Sequence, residues 1–259
     1  MIRLGRRVAL ALAVLALPST GLAQPEAPVI AAASDLKFAL GEIVRRFEAD
    51  GLGRVRLSLG SSGNLARQIE QGAPYQMFLS ADEGFVFHLA EQGLTRDRGK
   101  LYAIGRIVLF VPPWSELAPD GSLSGLRAAI AAGRLRRLAI ANPEHAPYGR
   151  AAMQALQRQG LWEAIRPALV FGENVAQAAQ FAATGNSQGG IIAYSLAVSP
   201  QMAERGRFGL IPEEWHEPLR QRMVLLRNAG PVAQRFYRFM TESQARAVLA
   251  RHGFVLPGE

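Results

Sequence analysis

The feature that most restricts the fold of this chain is a recurring unit: a short apolar strand, a turn of small residues, then an amphipathic helix. Val29-Ile30-Ala31-Ala32-Ala33 runs directly into Ser34 and a helix-period pattern through Leu36, Leu40, Ile43, Val44 and Phe47. Val55 to Leu59 alternates as a strand, Gly60-Ser61-Ser62-Gly63 turns, and a helix is predicted from Asn64 to Glu70. Met77-Phe78-Leu79 reads as a third strand, with Ser80-Ala81-Asp82 opening the next helix. Strands that alternate with helices in this way specify a mainly parallel sheet covered by helices, the α/β class.

The pattern then restarts. Arg106 to Val111 is an apolar, β-branched strand stopped by Pro112-Pro113, and Leu138 to Ala141 is a strand followed by a helix from Tyr148 to Gln159 that Gly160 ends. Leu169 to Phe171 precedes a helix from Val175 to Ala183, and Gly190 to Tyr194 reads as a buried strand. Met223 to Leu226 is the last strand, followed by helices over Val232 to Met240 and Ser243 to Arg251. Two lobes joined by the strands near 106–111 and 223–226 fit this order. A single doubly wound sheet is the alternative arrangement.

The N-terminus reads as an address. Arg3, Arg6 and Arg7 precede the apolar run Val8 to Leu17, Pro18 breaks it, and Gly21-Leu22-Ala23 sets small residues before a cleavage point. This is the pattern of a secretory signal peptide over 1–23, and the run is too short to span a bilayer. The chain has no cysteine, which excludes disulfides, thiolate nucleophiles and cysteine-ligated metals. Residues 1–23 hold three arginines and no acid, so cleavage lowers the formal charge from +8 to +5. The densest basic cluster, Arg134, Arg136 and Arg137, has no interleaved aromatics and no nucleic-acid reader motif, so no nucleic-acid partner is expected.

Catalytic motifs are missing. Gly60-Ser61-Ser62-Gly63-Asn64 departs by one residue from the G-x-S-x-G turn that exposes a nucleophile. His88, His145, His216 and His252 stand apart without metal-ligand spacing, and Gly51-Leu52-Gly53 precedes a strand and lacks the third glycine of a dinucleotide loop. The helix starts are more informative. Ser34, Ser62, Tyr148 and Val175 each lie at or near a predicted helix start that follows a strand or short turn. Such starts carry unpaired N–H groups and partial positive charge, and in an open α/β sheet they gather along the carboxyl edge of the strands, where ligands bind. Serine is equally a standard helix N-cap, so the two serines read either as ligands or as caps.

Several of these stretches together resemble one family. Ala31-Ala32-Ala33-Ser34, the run from Gly60-Ser61-Ser62-Gly63-Asn64-Leu65-Ala66-Arg67-Gln68-Ile69-Glu70 to Gln71-Gly72-Ala73-Pro74, and Phe78-Leu79-Ser80-Ala81-Asp82 are similar to the molybdate-binding components of ABC transporters. Asn142-Pro143-Glu144-His145-Ala146-Pro147-Tyr148-Gly149 and Gly172-Glu173-Asn174-Val175 extend the likeness into the second half. The resemblance implies a two-lobed type II periplasmic binding-protein fold, with lobe one made of 24–104 and 222–259 and lobe two of 105–221. It implies a periplasmic, monomeric, non-enzymatic protein, needing no cofactor and not inserted in the membrane, that captures molybdate or tungstate and delivers it to a membrane permease. Ser34 and Ser62 would donate hydroxyl and backbone bonds, and Tyr148 and Val175 backbone bonds. All four would touch the metal oxyanion only through its oxygens, with no direct metal ligand. A binder of another oxyanion, an exported serine hydrolase built on Ser62, and a sensory module without a transporter are the alternatives.

Two residues depart from the family pattern. Some members place a tyrosine hydroxyl on the ligand from a strand near the hinge, but an ungapped match of Gly190 to Ser195 puts Ala193 there and Tyr194 one residue late. Strand alternation then turns Tyr194 to the opposite face. Asp35 follows Ser34 directly, and a carboxylate beside a dianion would repel it. Its side chain is therefore expected to point away toward the helix N-terminus, with its backbone N–H still within reach of the ligand.

Overall fold

The computed structural model describes residues 27–258. The expected signal peptide and its cleavage point lie outside the described residues. Ten strands form two separate five-stranded sheets, which rules out the single doubly wound sheet. The first sheet holds β1 (Val29–Ala33), β2 (Arg56–Gly60), β3 (Tyr75–Ser80), β4 (Lys100–Gly105) and β10 (Leu219–Leu225), in the order β2-β1-β3-β10-β4. The second holds β5 (Ile107–Val111), β6 (Leu138–Ala141), β7 (Leu169–Gly172), β8 (Gly190–Ala193) and β9 (Arg207–Leu210), in the order β7-β6-β8-β5-β9.

The two orders are the same pattern. In each sheet the first two α/β units pair in parallel, and one strand runs against the rest. That reversed strand is β10 in the first sheet and β5 in the second. Each arrives from the opposite half of the chain: β4 passes through Arg106 into β5, and β9 passes through residues 211–218 into β10. The sheets are therefore linked by two crossings, at the edges of the strands that the sequence marked as connectors.

Period-two alternation places the core on both faces of the first sheet. Ile30 and Ala32 of β1, Met77 and Leu79 of β3 and Met223 of β10 face one layer, while Ala31, Phe78 and Val224 face the other. Helix α1 (Lys37–Ala49) buries Ala39, Leu40, Ile43 and Phe47, at the spacing of one helix face, against the first layer. Phe47 meets Phe236 and Phe239 of α10 (Pro231–Phe239) edge-on, at ring-centroid distances of 5.0 and 5.5 Å. The other layer is covered by α2 (Ser62–Glu70) and α3 (Glu83–Glu91). The second sheet is covered by α5 (Pro147–Arg158) and α7 (Val175–Ala183), which bury alanine-rich faces on it. The remaining helices are α4 (Ser124–Ala131), α6 (Trp162–Ile165), α8 (Tyr194–Ala197), α9 (Pro200–Ala203) and α11 (Ser243–Arg251). Among the described residues no helix is long and apolar enough to cross a membrane.

The strand expected over Gly190 to Tyr194 stops at Ala193, because Tyr194 starts the short helix α8. The strands β4 and β9 and helix α4 have no counterpart in the sequence reading.

Candidate functional site

The carboxyl ends of the two leading parallel strands of each sheet converge. Ser34 follows β1 and opens a short 3-10 turn before α1; Ser62 follows β2 and is the first residue of α2. Tyr148 follows β6 as the second residue of α5, and Val175 follows β7 as the first residue of α7. All four line one small cavity, joined by Ala33, Asp35, Gly60, Ser61, Ala81, Ala146 and Pro147. All four are nearly inaccessible to solvent.

Neither serine acts as a helix cap. The cap position of α2 is Ser61, whose side chain makes no capping bond, and the 3-10 turn at Ser34 is preceded by Ala33. The cap position of helix α5 is Ala146, whose methyl group cannot accept a hydrogen bond. Helix α7 is capped by Asn174, which accepts from Ala176 and Gln177 and leaves the Val175 N–H over. The N–H groups of Ser62, Tyr148 and Val175 thus donate to no backbone acceptor among the described residues, as the first N–H groups of a helix must unless something else accepts them. The hydroxyls are oriented by accepting: Ser62 Oγ from the Ala81 N–H at 2.9 Å, and Ser34 Oγ from the Ala176 N–H at 3.3 Å. Each hydroxyl retains its single proton as a donor.

The lining contains no lysine, arginine or histidine, and its one carboxyl group is Asp35. The Asp35 side chain points away from the anion's place, as expected, and the amides of Asp35 and Leu36 at the helix start draw on its carboxyl. The side chain is buried behind the cavity, where Oδ2 accepts from the Tyr148 hydroxyl at 3.0 Å and from Gln221 Nε2 at 2.6 Å. Burial pushes its carboxyl from 3.8 up to about 6, against the pull of the Gln221 and Tyr148 bonds and of the amides of Asp35 and Leu36. Burial, and then the charge of Asp35, raise the phenols of Tyr148 and Tyr102 well above their ordinary range. Gln221 and Tyr148, distant in sequence, add donors that a lone carboxylate at a helix start would otherwise seek in water.

Contacts between the two sides close the mouth of the cavity. The Gly63 N–H donates to the His145 carbonyl at 3.0 Å, Ser61 Oγ meets His145 Nδ1 at 2.9 Å, and Arg150 pairs with Asp82. A Cβ on Gly63 would lie 2.7 Å from the His145 oxygen, so this approach requires glycine. Tyr194 stays outside the cavity: its ring packs edge-on against Phe208 at 5.5 Å and under Gly253, and its N–H donates to the Arg106 carbonyl. Among the described residues no group of three or more His, Asp or Glu is arranged to hold a metal ion.

Residues 28–255 match the family of bacterial extracellular solute-binding proteins. The chain belongs to that family. Its relatives include the molybdate-binding protein ModA of Azotobacter vinelandii, 34% identical over 230 residues that cover 88% of this chain and 89% of the relative. The ModA of Rhodobacter capsulatus is 33% identical over 241 residues, covering 91% and 92% of the two chains. The solved periplasmic molybdate-binding protein of Azotobacter vinelandii superposes with a TM-score of 0.79 at 29% identity, covering 89% of this chain and 99% of that one. The two sheets and their crossings are thus the two lobes of the type II periplasmic binding-protein fold, and the family member described here is a binding protein, not an enzyme. Consistent with this, the Ser62 hydroxyl of the hydrolase alternative accepts from the Ala81 amide, and the histidine nearby bonds Ser61 instead.

Proposed function

We propose that this protein captures molybdate, or tungstate, in the cavity between its lobes and delivers it to the membrane permease of an ABC transporter. The observation that carries the reading is the meeting of uncapped helix starts and two serine hydroxyls in one buried, cation-free cavity. Ser34 and Ser62 donate hydroxyl and backbone bonds, and Tyr148 and Val175 donate peptide N–H groups. A tetrahedral dianion offers four acceptor oxygens, and neutral donors at several helix ends spread its charge without leaving a buried cation when the cleft opens.

Two steps make room for the anion. The Ser34 hydroxyl can turn from the Ala176 N–H without cost to that amide, which Asn174 also accepts at 3.1 Å. The walls also part, since the cavity holds about 10 Å³, the space of one water-sized group. A ring of donors set at the radius of the larger oxyanion leaves stretched bonds around sulfate, which is the basis of selection. Lobe one comprises 24–104 and 222–259 and lobe two 105–221, except that Gly105 and Leu219 to Gln221, at the crossings, pair within the first sheet and so move with lobe one. The protein acts in the periplasm as a monomer after cleavage behind Ala23.

Calorimetric titration against molybdate, tungstate, sulfate and phosphate tests the reading. Molybdate and tungstate should bind tightly at one site per chain and sulfate far more weakly. Equal affinity for sulfate or phosphate would refute the assignment.

A further inference from the structure

Four side chains from four separate stretches of chain converge behind the cavity. Gln221 donates from Nε2 to Asp35 Oδ2 at 2.6 Å and to the Tyr148 hydroxyl at 3.0 Å, and its Oε1 accepts from the Tyr102 hydroxyl at 2.7 Å. The Tyr148 hydroxyl in turn donates to Asp35 Oδ2 at 3.0 Å. Gln221 is completely buried. Two features of the backbone prepare this meeting. Gln221 pairs with Ala103 and Arg222 with Leu101, so Tyr102 is an extra residue in β4, a bulge of the kind that re-aims a side chain. Gly105 ends β4 next to the first crossing, and a Cβ there would lie 2.2 Å from the Tyr148 hydroxyl and 2.9 Å from Gln221 Nε2. The cluster exists only because that position carries no side chain.

Its position matters for movement. Asp35, Tyr102 and Gln221 belong to the first sheet's side, and Tyr148 comes from α5 on the second. A rotation that parts the sheets must pull the Tyr148 hydroxyl off both Asp35 and Gln221. The same Tyr148 offers its peptide N–H at the cavity wall. Opposing the clasp, Asp35 Oδ1 is buried with no partner, so closure desolvates an oxygen it does not satisfy. That cost offsets part of what the clasp's hydrogen bonds contribute.

Resting on the oxyanion reading above, we infer that Tyr148 works from both ends: its N–H takes the anion while its hydroxyl clasps Asp35 and Gln221, with Gln221 as the positioning residue. Closure and capture then share one residue. An anion bonded to the N–H holds α5 where the phenol reaches lobe one, and the clasp holds the N–H where the anion needs it. The clasp forms after the anion enters, so it governs escape and not entry.

The test is stopped-flow kinetics of molybdate binding, followed by tryptophan fluorescence, on wild type, Tyr148→Phe, Gln221→Leu and Gly105→Ala. Trp215 lies in the second crossing and provides a signal for lobe movement. None of the three changes removes a proposed anion donor. Loss of a hydrogen bond to a charged partner corresponds to about ten- to a hundredfold, so the dissociation rate should rise at least about tenfold, with association within about twofold. A purely structural role would instead lower the melting temperature of the anion-free protein and leave dissociation unchanged. Unchanged dissociation in Tyr148→Phe overturns the clasp, whether or not Gly105→Ala folds. Failure of wild type to bind molybdate at all would refute the ligand assignment instead, a separate outcome.

Discussion

The Ser61 hydroxyl and the His145 ring, 84 positions apart, meet at 2.9 Å across the mouth of the cavity, and the backbone beneath them is joined by Gly63 N–H to His145 carbonyl at 3.0 Å. Here the two lobes touch main chain to main chain. The contact makes Gly63 a gauge of closure.

Gly63→Ala should therefore weaken molybdate binding by at least tenfold. The new Cβ, 2.7 Å from the His145 oxygen, forbids the closed approach. In the open protein the same methyl sits in the first turn of α2, where alanine is favoured over glycine by up to about 1 kcal/mol. The anion-free variant should melt at or slightly above wild type. Wild-type affinity by calorimetry would show that binding does not need this closure.

Ser34→Ala and Ser62→Ala should each weaken binding by about ten- to a hundredfold, the worth of one hydroxyl bond to an ionised acceptor. Backbone donors remain, so binding should survive. Ser62→Ala also strips the Ala81 N–H of its acceptor and should lower the stability of the anion-free protein by about 1 kcal/mol, whereas Ser34→Ala should not, since Asn174 still serves Ala176. Wild-type affinity in both variants would leave the serines without a role in binding.

Asp35 predicts a pH dependence of the protein in its closed form, where its carboxyl is buried against Tyr148 and Gln221. Its folded carboxyl titrates near 6 against 3.8 for the free side chain, so the folded state binds the proton more tightly. Stability should fall as pH rises between those values and level off above about 6. The shift corresponds to about 3 kcal/mol, at 1.36 kcal/mol per unit. Asp35→Asn removes this component, so its stability relative to wild type should increase across pH 4 to 6 in denaturant titrations. Parallel pH profiles for the two proteins would mean that Asp35 is not desolvated in solution.

How far the sequence exposed this design depends on whether local pattern or long-range contact decides each element. Helix α7 and helix α11 were legible to the residue because a capping side chain or a periodic face marks each end within a few positions. Strand β4 was not, because the bulge at Tyr102 breaks its alternation. Helix α4 was hidden by its start: Leu123 takes a left-handed φ of 57°, and the cap comes from Asp120, bonded to Ser124 and Gly125. Strand β9 is short, lies at the sheet edge and includes the exposed Leu210, so no alternation signals it. The cavity was legible because its residues sit at helix starts after strands. The polar cluster behind it was not, since Gln221 reaches Asp35 across 186 positions and nothing local in β10 singles it out.

The last prediction concerns Tyr194, where residue type and register point in opposite directions. Matching by type makes it an anion ligand; matching by register does not. The geometry favours the second for a reason beyond alternation. Strand β8 ends at Ala193, and the Tyr194 N–H is spent on the Arg106 carbonyl at 2.9 Å as α8 begins. Its ring is wedged between Phe208 and Gly253, where even a single added Cβ on Gly253 would lie 2.6 Å from the ring carbons. To reach the anion the phenol would have to leave this slot and abandon the aromatic contact, worth about 0.5–1.5 kcal/mol beyond the area it buries. Tyr194→Phe keeps the ring and deletes only the hydroxyl. Molybdate affinity should stay within about twofold of wild type, and the melting temperature should be unchanged. A tenfold loss of affinity at constant apo stability would place the hydroxyl on the anion and prove this register wrong.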